Sequence, residues 1–518
     1  MSYTATLQTR EFTSMAQLPL HLNVQKLSWS IFGGADVALI SVDADYLSLF
    51  DLGNYLRCPV TVTNDYGLPV WWGYINALTL SFGQHRIGVS LDDLANRVAV
   101  RYAYLGPVGN LGEIIHTSWA ESTASQAVYG TKELIVRQGE IEEDFALQLR
   151  NLTLAEREYP PVSMVGLLAS RPQLAGLNAG EQAKGRATLS CLGWMHSLGW
   201  KYYRTSAGMI ANVVPQNSTQ VMGADASTAR VAQSFTPAID LVIQSAEIRL
   251  RKELSPTDAV QVHIKTDSGG SPSSTSLGYV TISNAALEQS SFPMMKVSFD
   301  PVISLTGGIK YWIVIHRSGA YSATDHYVVG VDEALSFTGG QFKIFNASTS
   351  AWGLRAPNCD LIFRLIGIKQ TTLQLADIYT ASNQFLSGLI VEPGSNVYTL
   401  PYYFAAETAQ QVFEKLLRLG TSRNRLMLAE VKVDRQLVIT EQPVQGEEDY
   451  FIDQQGKCYD AFHNPLLPGF TPVGHWLRFS KPVQVGVKLH DPHLPSAFIV
   501  SAQLDVETGK TELGSITP

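Results

Sequence analysis

The densest gathering of side chains suited to ligand contact is "HRSGAYSATDHY", where His316, Arg317, Tyr321, Asp325, His326 and Tyr327 fall within one turn region. Aromatic rings beside Arg and Asp suit saccharide recognition: a ring stacks on the C–H face of a sugar while charged groups bind its hydroxyls. Trp312, in "GGIKYWIVIHRSG", and Trp352, in "STSAWGLRAP", are two further rings such a site would use. The plainer alternative makes the turn a solvated hairpin tip, Trp312 a covered core ring and Trp352 a residue that closes a sandwich.

Catalytic constellations are harder to find. The sequence holds no GxSxG elbow and no P-loop, and "GPVGNLG" (Gly106, Gly109, Gly112) lacks the G-x-G-x-x-G spacing of a phosphate cradle. "HDPH" places His490 and His493 around Pro492, which forbids a regular metal-binding helix. Asp325 and His326 are adjacent, so in a strand they point to opposite faces. A hydrolase needs two positioned carboxylates or an activated nucleophile, and no acid here sits in a context that marks it. The expectation is a non-enzyme with no catalytic residue, no metal and no cofactor.

Composition narrows the class. With 518 residues, 45% apolar and 16% charged, the chain has material for several cores. Its net charge of −8 and the lack of a Lys/Arg cluster argue against nucleic-acid recognition, which needs a local basic footprint. No run approaches the ~18 apolar residues of a membrane span. The first residues lack a basic stretch followed by an apolar one, so synthesis in a cytoplasm without a Sec signal is expected. Cys58, Cys191, Cys359 and Cys458 are far apart and form no CxxC pair, which predicts free thiols.

The elements that would position these residues are mostly strands. "DVALISVD", "PVTVTND", "VWWGYINALTLSF" and "RIGVSL" are β-branched or aromatic runs broken by turn-formers. Ser90 is placed to cap a helical turn ahead of Asp92 and Asp93. "GEIEEDFALQLRNLTLAE" predicts a helix with an apolar face of Ile141, Phe145, Leu149 and Leu152, ended by the prolines of "EYPP". "SAGMIANVVPQNSTQVMGADASTAR" reads as connector. Beyond it, from residue 231 to about 367, alternation is clean. Val260, Val262 and Ile264 oppose Gln261, His263 and Lys265; Ala246, Ile248 and Leu250 oppose Glu247, Arg249 and Arg251. Such period-two patterning with one wet face predicts an antiparallel sandwich. "ETAQQVFEKLLRLGTS" predicts a helix with Val412, Phe413, Leu416 and Leu417 inward and Gly420 just past its end. Trp71, Trp72, Trp194 and Trp200 read as core or subunit-interface residues.

Two resemblances organise these pieces. "WWGYINALTLSF … IGVSLDDLANRVAVRY", then "SQAVYGTKELIVRQGEIEEDFALQLRNLTLAEREYPP", and later "DIYTASNQFLSGLIVEPGSNVYTLPYYFAAETAQQVFEKLLRLGTSRNRLMLAEVKVDRQLVITEQP" resemble the hub or tail-associated proteins at the tip of tailed bacteriophages, over roughly residues 20–205 and 370–485. The order "QSF … I.TD..G.PS … YW … W … F..G" across residues 231–367 is similar to carbohydrate-binding-module-like jelly rolls appended to surface and tail proteins. In that resemblance the "YW" strand is a core strand, which favours the covered position for Trp312.

The expected fold class is therefore mainly β with minor α/β. A hub-like β-barrel (1–110) and the first part of a mixed α/β hub domain (111–225) precede an inserted antiparallel β-sandwich of jelly-roll type (226–368). The second part of the hub domain (369–445) and a C-terminal β-rich segment (446–518) follow. The hub resemblance implies a homotrimeric ring at the end of the tail tube, touching the distal tail protein, the tape measure and a tip fibre, in a virion assembled in the host cytoplasm. The insert is expected to contact host-surface polysaccharide for host recognition. Two alternatives stay open: a secreted or surface glycan-binding protein, and a tail protein with embedded cell-wall hydrolase activity.

Overall fold

The computed structural model describes residues 2–516 apart from 16–19, 46–48, 50, 83–84, 105–113, 166–183, 204–208, 215, 239, 393–396, 400–406, 446–449, 454–455, 461–463, 467–470 and 480–495. The "GPVGNLG" and "HDPH" phrases lie outside the described residues. The fold is mainly β with minor α, and the chain divides into two compact units. One comprises Met1–Tyr203, Thr371–Val397 and Phe404–Pro518; the other comprises Arg204–Gln370 and Tyr398–Tyr403.

The first unit is built on a small barrel. Strands Tyr3–Leu7, Asn23–Ser30, Phe32–Asp45, Lys184–Gly193, Pro69–Phe82 and Pro59–Asn64 pair in that order, each antiparallel to the next, and the last pairs with the first. Alternation explains the closure: Ala187, Leu189 and Cys191 are buried and their neighbours less so, as are Val60 and Val62 around Thr61. The barrel is thus completed by a strand from well beyond residue 110. Residues near the C-terminus extend the same sheet, since Ser496–Asp505 pairs with Asn23–Ser30, and Met427–Val431 lies parallel to Phe32 and Gly33.

Helix Ala409–Leu419 forms where its pattern places it. Thr408 and Gln411 make a capping box, Val412, Phe413, Leu416 and Leu417 are buried, and Gly420 ends the helix at φ +69°. A Cβ at Gly420 would stand 2.3 Å from the Arg425 carbonyl oxygen, so only glycine fits there. Ser90 accepts from the Asp92 amide at 3.0 Å, but it caps only the single 3-10 turn Leu91–Asp93 before strand Arg97–Tyr104 begins.

The helix Glu143–Arg157 corrects an expectation. Ile141 ends the preceding strand, Glu133–Ile141, while Phe145 and Leu152 are 66% and 63% exposed. Ile141 and Leu149 of the expected face do pack, together with Ala146, against Val100 and Tyr102 of a four-stranded sheet. The helix carries apolar residues on both sides, and the small sheet beneath it covers only one.

The second unit is an antiparallel sandwich. Its six-stranded sheet runs in the order Ser271–Ile282, Val260–Ser268, Tyr311–Arg317, Arg230–Phe235, Phe342–Asn346, Ala351–Leu354. The eight-stranded sheet is centred on Leu241–Glu253, which pairs with Met294–Leu305, Phe363–Gln370 and His326–Asp332. Val260, Val262, Ile264, Ile313 and Ile315 of one sheet and Ala246, Ile248, Leu250 and Phe363 of the other share one core. The presumed connector is also corrected: Met209–Asn212 and Ser218–Met222 are strands of the eight-stranded sheet. Each is four or five residues long and paired along one edge, too short for alternation to stand out among small and polar residues.

Candidate functional site

The loop that looked best for ligand contact is mostly a structural lock. Arg317 is buried and forms a two-pronged pair with Asp258, Nε to Oδ2 at 3.0 Å and Nη2 to Oδ1 at 2.5 Å. Its Nη1 donates to the Gly223 and Asp325 carbonyls, each at 3.0 Å. The Gly319 amide donates to Asp258 Oδ2 at 2.7 Å, and the buried Tyr327 hydroxyl donates to the Asp258 carbonyl. Position 223 takes glycine for two reasons: its φ is +76°, and a Cβ there would stand 2.4 Å from the Arg317 side chain. Burial pushes the Asp258 carboxyl up, and the Arg317 and Gly319 hydrogen bonds with the Arg317 charge outweigh it, leaving the pKa below the usual range. Arg317 and Tyr327 thus have their polar groups turned inward and offer a ligand nothing.

The other loop residues divide. Asp325 accepts from the Ser255 amide at 3.0 Å and from the Thr324 hydroxyl at 2.8 Å. His326 begins the strand opposite Glu253, its Nδ1 buried. Tyr321 is 46% exposed. Trp312 is wholly buried, against Ala232 and Val314 with Trp352 packed over them, and its indole donates to Asp267 at 2.7 Å. It cannot serve as a platform for a sugar. Trp352, half-buried, packs on Phe345 with ring centres 5.1 Å apart.

His316 leads to a group that the sequence did not single out. It lies on the outer face of the six-stranded sheet, where its Nε2 is 3.1 Å from that of His263 and its Nδ1 faces the Arg317 carbonyl at 2.8 Å. A carbonyl requires the proton on Nδ1, so His316 Nε2 accepts from His263. The ring planes differ by 20° with centres 5.0 Å apart, which together with the short nitrogen separation places the rings edge to edge. On its other side His263 lies parallel to Tyr279, with ring centres 4.9 Å apart. The alternation in "AVQVHIKTD" already turned His263 outward; its partner 53 residues later left no local sign.

Burial, followed by the nearby His316, Lys265 and Arg230, lowers the His263 pKa to about 4, and burial also lowers that of His316. Free imidazole titrates near 6.5, so between those values the unfolded chain binds more protons than the folded one. The sandwich should therefore lose stability as pH falls from about 6.5 towards about 4. Urea midpoints at successive pH values test this: the double variant His263→Gln/His316→Gln should show a flatter dependence in that window, and an unchanged slope would refute the assignment.

In the first unit, Trp71, Trp194 and Trp200 are buried and Trp72 is half-buried. Trp194 and Trp200 lie in a 3-10 stretch, Trp194–Trp200, rather than an extended strand, and pack with Tyr74 and Phe385 at ring separations of 5.1–6.0 Å. Trp72 donates to the Val431 carbonyl at 2.7 Å beside an open groove of about 600 Å³, where Glu441 is already engaged by Thr421, Arg423 and Arg425. A His–Asp pair occurs at His196 Nε2 and Asp36, 2.7 Å apart; its remaining ring nitrogen faces the Gln410 amide at 3.5 Å, which is not a nucleophile. Among the described residues no group of three or more His, Cys, Asp or Glu is placed to hold a metal, and no helix is long and apolar enough to cross a membrane. The four cysteines are free thiols, three of them buried.

Comparison with known proteins adds little. No family model and no curated protein matches the chain. Among solved structures, the mosquito-larvicidal Cry4Aa toxin from Bacillus thuringiensis is aligned over 71% of this chain and 58% of its own, at 7% identity and a TM-score of 0.17. A protein of Parabacteroides distasonis described as secreted is aligned over 60% and 87%, at 9% identity and a TM-score of 0.08. The chain spans little more than half of the toxin's length. Scores this low assign neither fold nor activity.

Proposed function

We propose that the chain is a structural component of a phage tail tip, a hub that closes a homotrimeric ring at the end of the tail tube and contacts host-surface glycan through its sandwich. It breaks no bond; its work is assembly and adhesion. The observation that carries this reading is the interrupted scaffold: strands from before Tyr203 and from beyond Thr371 share one barrel-based sheet, while Arg204–Gln370, with Tyr398–Tyr403, forms a unit with a core of its own. A scaffold interrupted by a second compact unit supports the reading of an assembly body with a contact module spliced into it. Exposed apolar side chains support association as well. Phe145 and Leu152 of one helix and Val162, Met164 and Val165 of one strand in the first unit are all solvent-facing, apolar surface that a partner protein would cover. Identical weak glycan contacts repeated around a ring would add through multivalency.

Size-exclusion chromatography with light scattering tests the ring. The expected mass is three times 56.7 kDa. A protein that stays at 56.7 kDa at micromolar concentration, and that also fails to join a tail-tube complex, would overturn the hub; a monomer that still binds glycan would favour a stand-alone adhesin.

A further inference from the structure

The outer face of the six-stranded sheet runs against the charge of the whole chain. Arg230, Lys265 and Lys343 stand on three of its strands, at positions whose cross-strand partners are His316, Trp312 and Ala232. None of the three takes part in an ion pair among the described residues. Asp267, the acid on this face, already accepts the Trp312 indole and the Gly270 amide. Burial and the Arg230 charge lower the Lys265 pKa, so the cations feel one another. Lys343 Nζ donates to the Gly270 carbonyl at 2.6 Å and Lys265 Nζ to the Ser273 carbonyl at 3.4 Å, but these neutral partners cancel no charge, so with Asp267 the face keeps a surplus of cations in a chain of net charge −8. Beside them Tyr279 is 56% exposed, its ring held parallel to His263. It is a flat aromatic surface fixed on a strand rather than on a loop.

We infer that this face binds an acidic polysaccharide: anionic groups of the polymer meet Arg230, Lys265 and Lys343 while a sugar ring stacks on Tyr279. The site deepens the glycan-contact part of the proposed function and moves it from the Tyr321 loop to the sheet; it does not depend on the ring. The charges favour an anionic polymer over a neutral one, and a stacking surface with cations on a rigid sheet suits a repeating sugar.

Affinity electrophoresis of the full chain at low salt tests it, with polygalacturonate, a poly(glycerol phosphate) teichoic acid, dextran or a twenty-residue oligo-dT in the gel. Retardation by polygalacturonate identifies carboxylate as the anion, retardation by the teichoic acid identifies phosphate, and either supports the site. Tyr279→Ala and the pair Arg230→Gln/Lys265→Gln should each weaken retention about tenfold, the equivalent of about 1.4 kcal/mol. Tyr321→Ala should leave it unchanged. Equal retardation by dextran, stronger retardation by the oligonucleotide, loss in Tyr321→Ala alone, or no retardation by either acidic polymer would overturn the inference. A trimer by light scattering that ignores both polymers would sink this site alone; a monomer retained by them would sink only the ring.

Discussion

Arg317→Ala should cost the sandwich about 3–5 kcal/mol, because it leaves a buried carboxylate without its counter-charge. The side chains of Arg317 and Asp258 are only 6% and 12% exposed. The loss has three parts: the ion pair itself, the two carbonyls of Gly223 and Asp325 that Arg317 ties together, and the cavity the long side chain vacates. Hydrogen exchange of strands Tyr311–Arg317 and His326–Asp332 measures it locally, without assuming that both units unfold together. The double variant Asp258→Asn/Arg317→Met should recover part of the loss, since a buried pair is replaced by neutral groups more cheaply than it is broken. If Arg317→Ala left exchange in both strands unchanged, Arg317 would not be the lock, and the loop would again be available for ligand contact.

The lock also shows what could be read from the chain and what could not. Alternation along one strand places Ile313 and Ile315 inward and His263 and Lys265 outward, because a pleat has a period of two and needs no knowledge of the partner strand. Helix Ala409–Leu419 was legible for a similar local reason, its apolar face, capping box and terminal glycine all lying within one phrase. Asp258 is different. It stands 59 residues before Arg317 in an unremarked "SPTDAV", and nothing local marks a carboxylate that will be buried against a guanidinium. The same limit hid the place of strand Lys184–Gly193 in the barrel and the His263–His316 contact. Helix Glu143–Arg157 formed as its pattern predicts, but half of its expected apolar face was misplaced for another reason. Its side chains offer two apolar stripes, and only the sheet beneath decides which is covered. Richness in Arg, Asp and Tyr therefore pointed to a loop whose polar groups satisfy one another, while the half-buried cations of the outer sheet face were spread over separate strands.

Trp312→Ala should destabilise the sandwich by about 3–5 kcal/mol, the usual cost of emptying a buried aromatic site. Although its pleat position is on the outer side of the sheet, the ring is wholly buried, with Ala232, Val314 and Trp352 packed around it and Lys343 Nζ 5.6 Å from its centre. The indole N–H is the second contribution. It donates to Asp267 at 2.7 Å, and the other Asp267 oxygen holds the Gly270 amide at 3.0 Å, so the ring also steadies the turn between strands Val260–Ser268 and Ser271–Ile282. Trp312→Phe separates the two contributions: it keeps most of the apolar volume, removes the donor, and should cost about 1–2 kcal/mol. Denaturant midpoints of the two variants, followed by exchange in strand Tyr311–Arg317, give the comparison. A platform tryptophan would behave in the opposite way, since its removal would leave stability nearly untouched and abolish ligand binding. If Trp312→Ala proved as stable as the parent chain, the ring would have to be open to solvent, and the sugar-stacking role assigned to Tyr279 would pass back to the tryptophan.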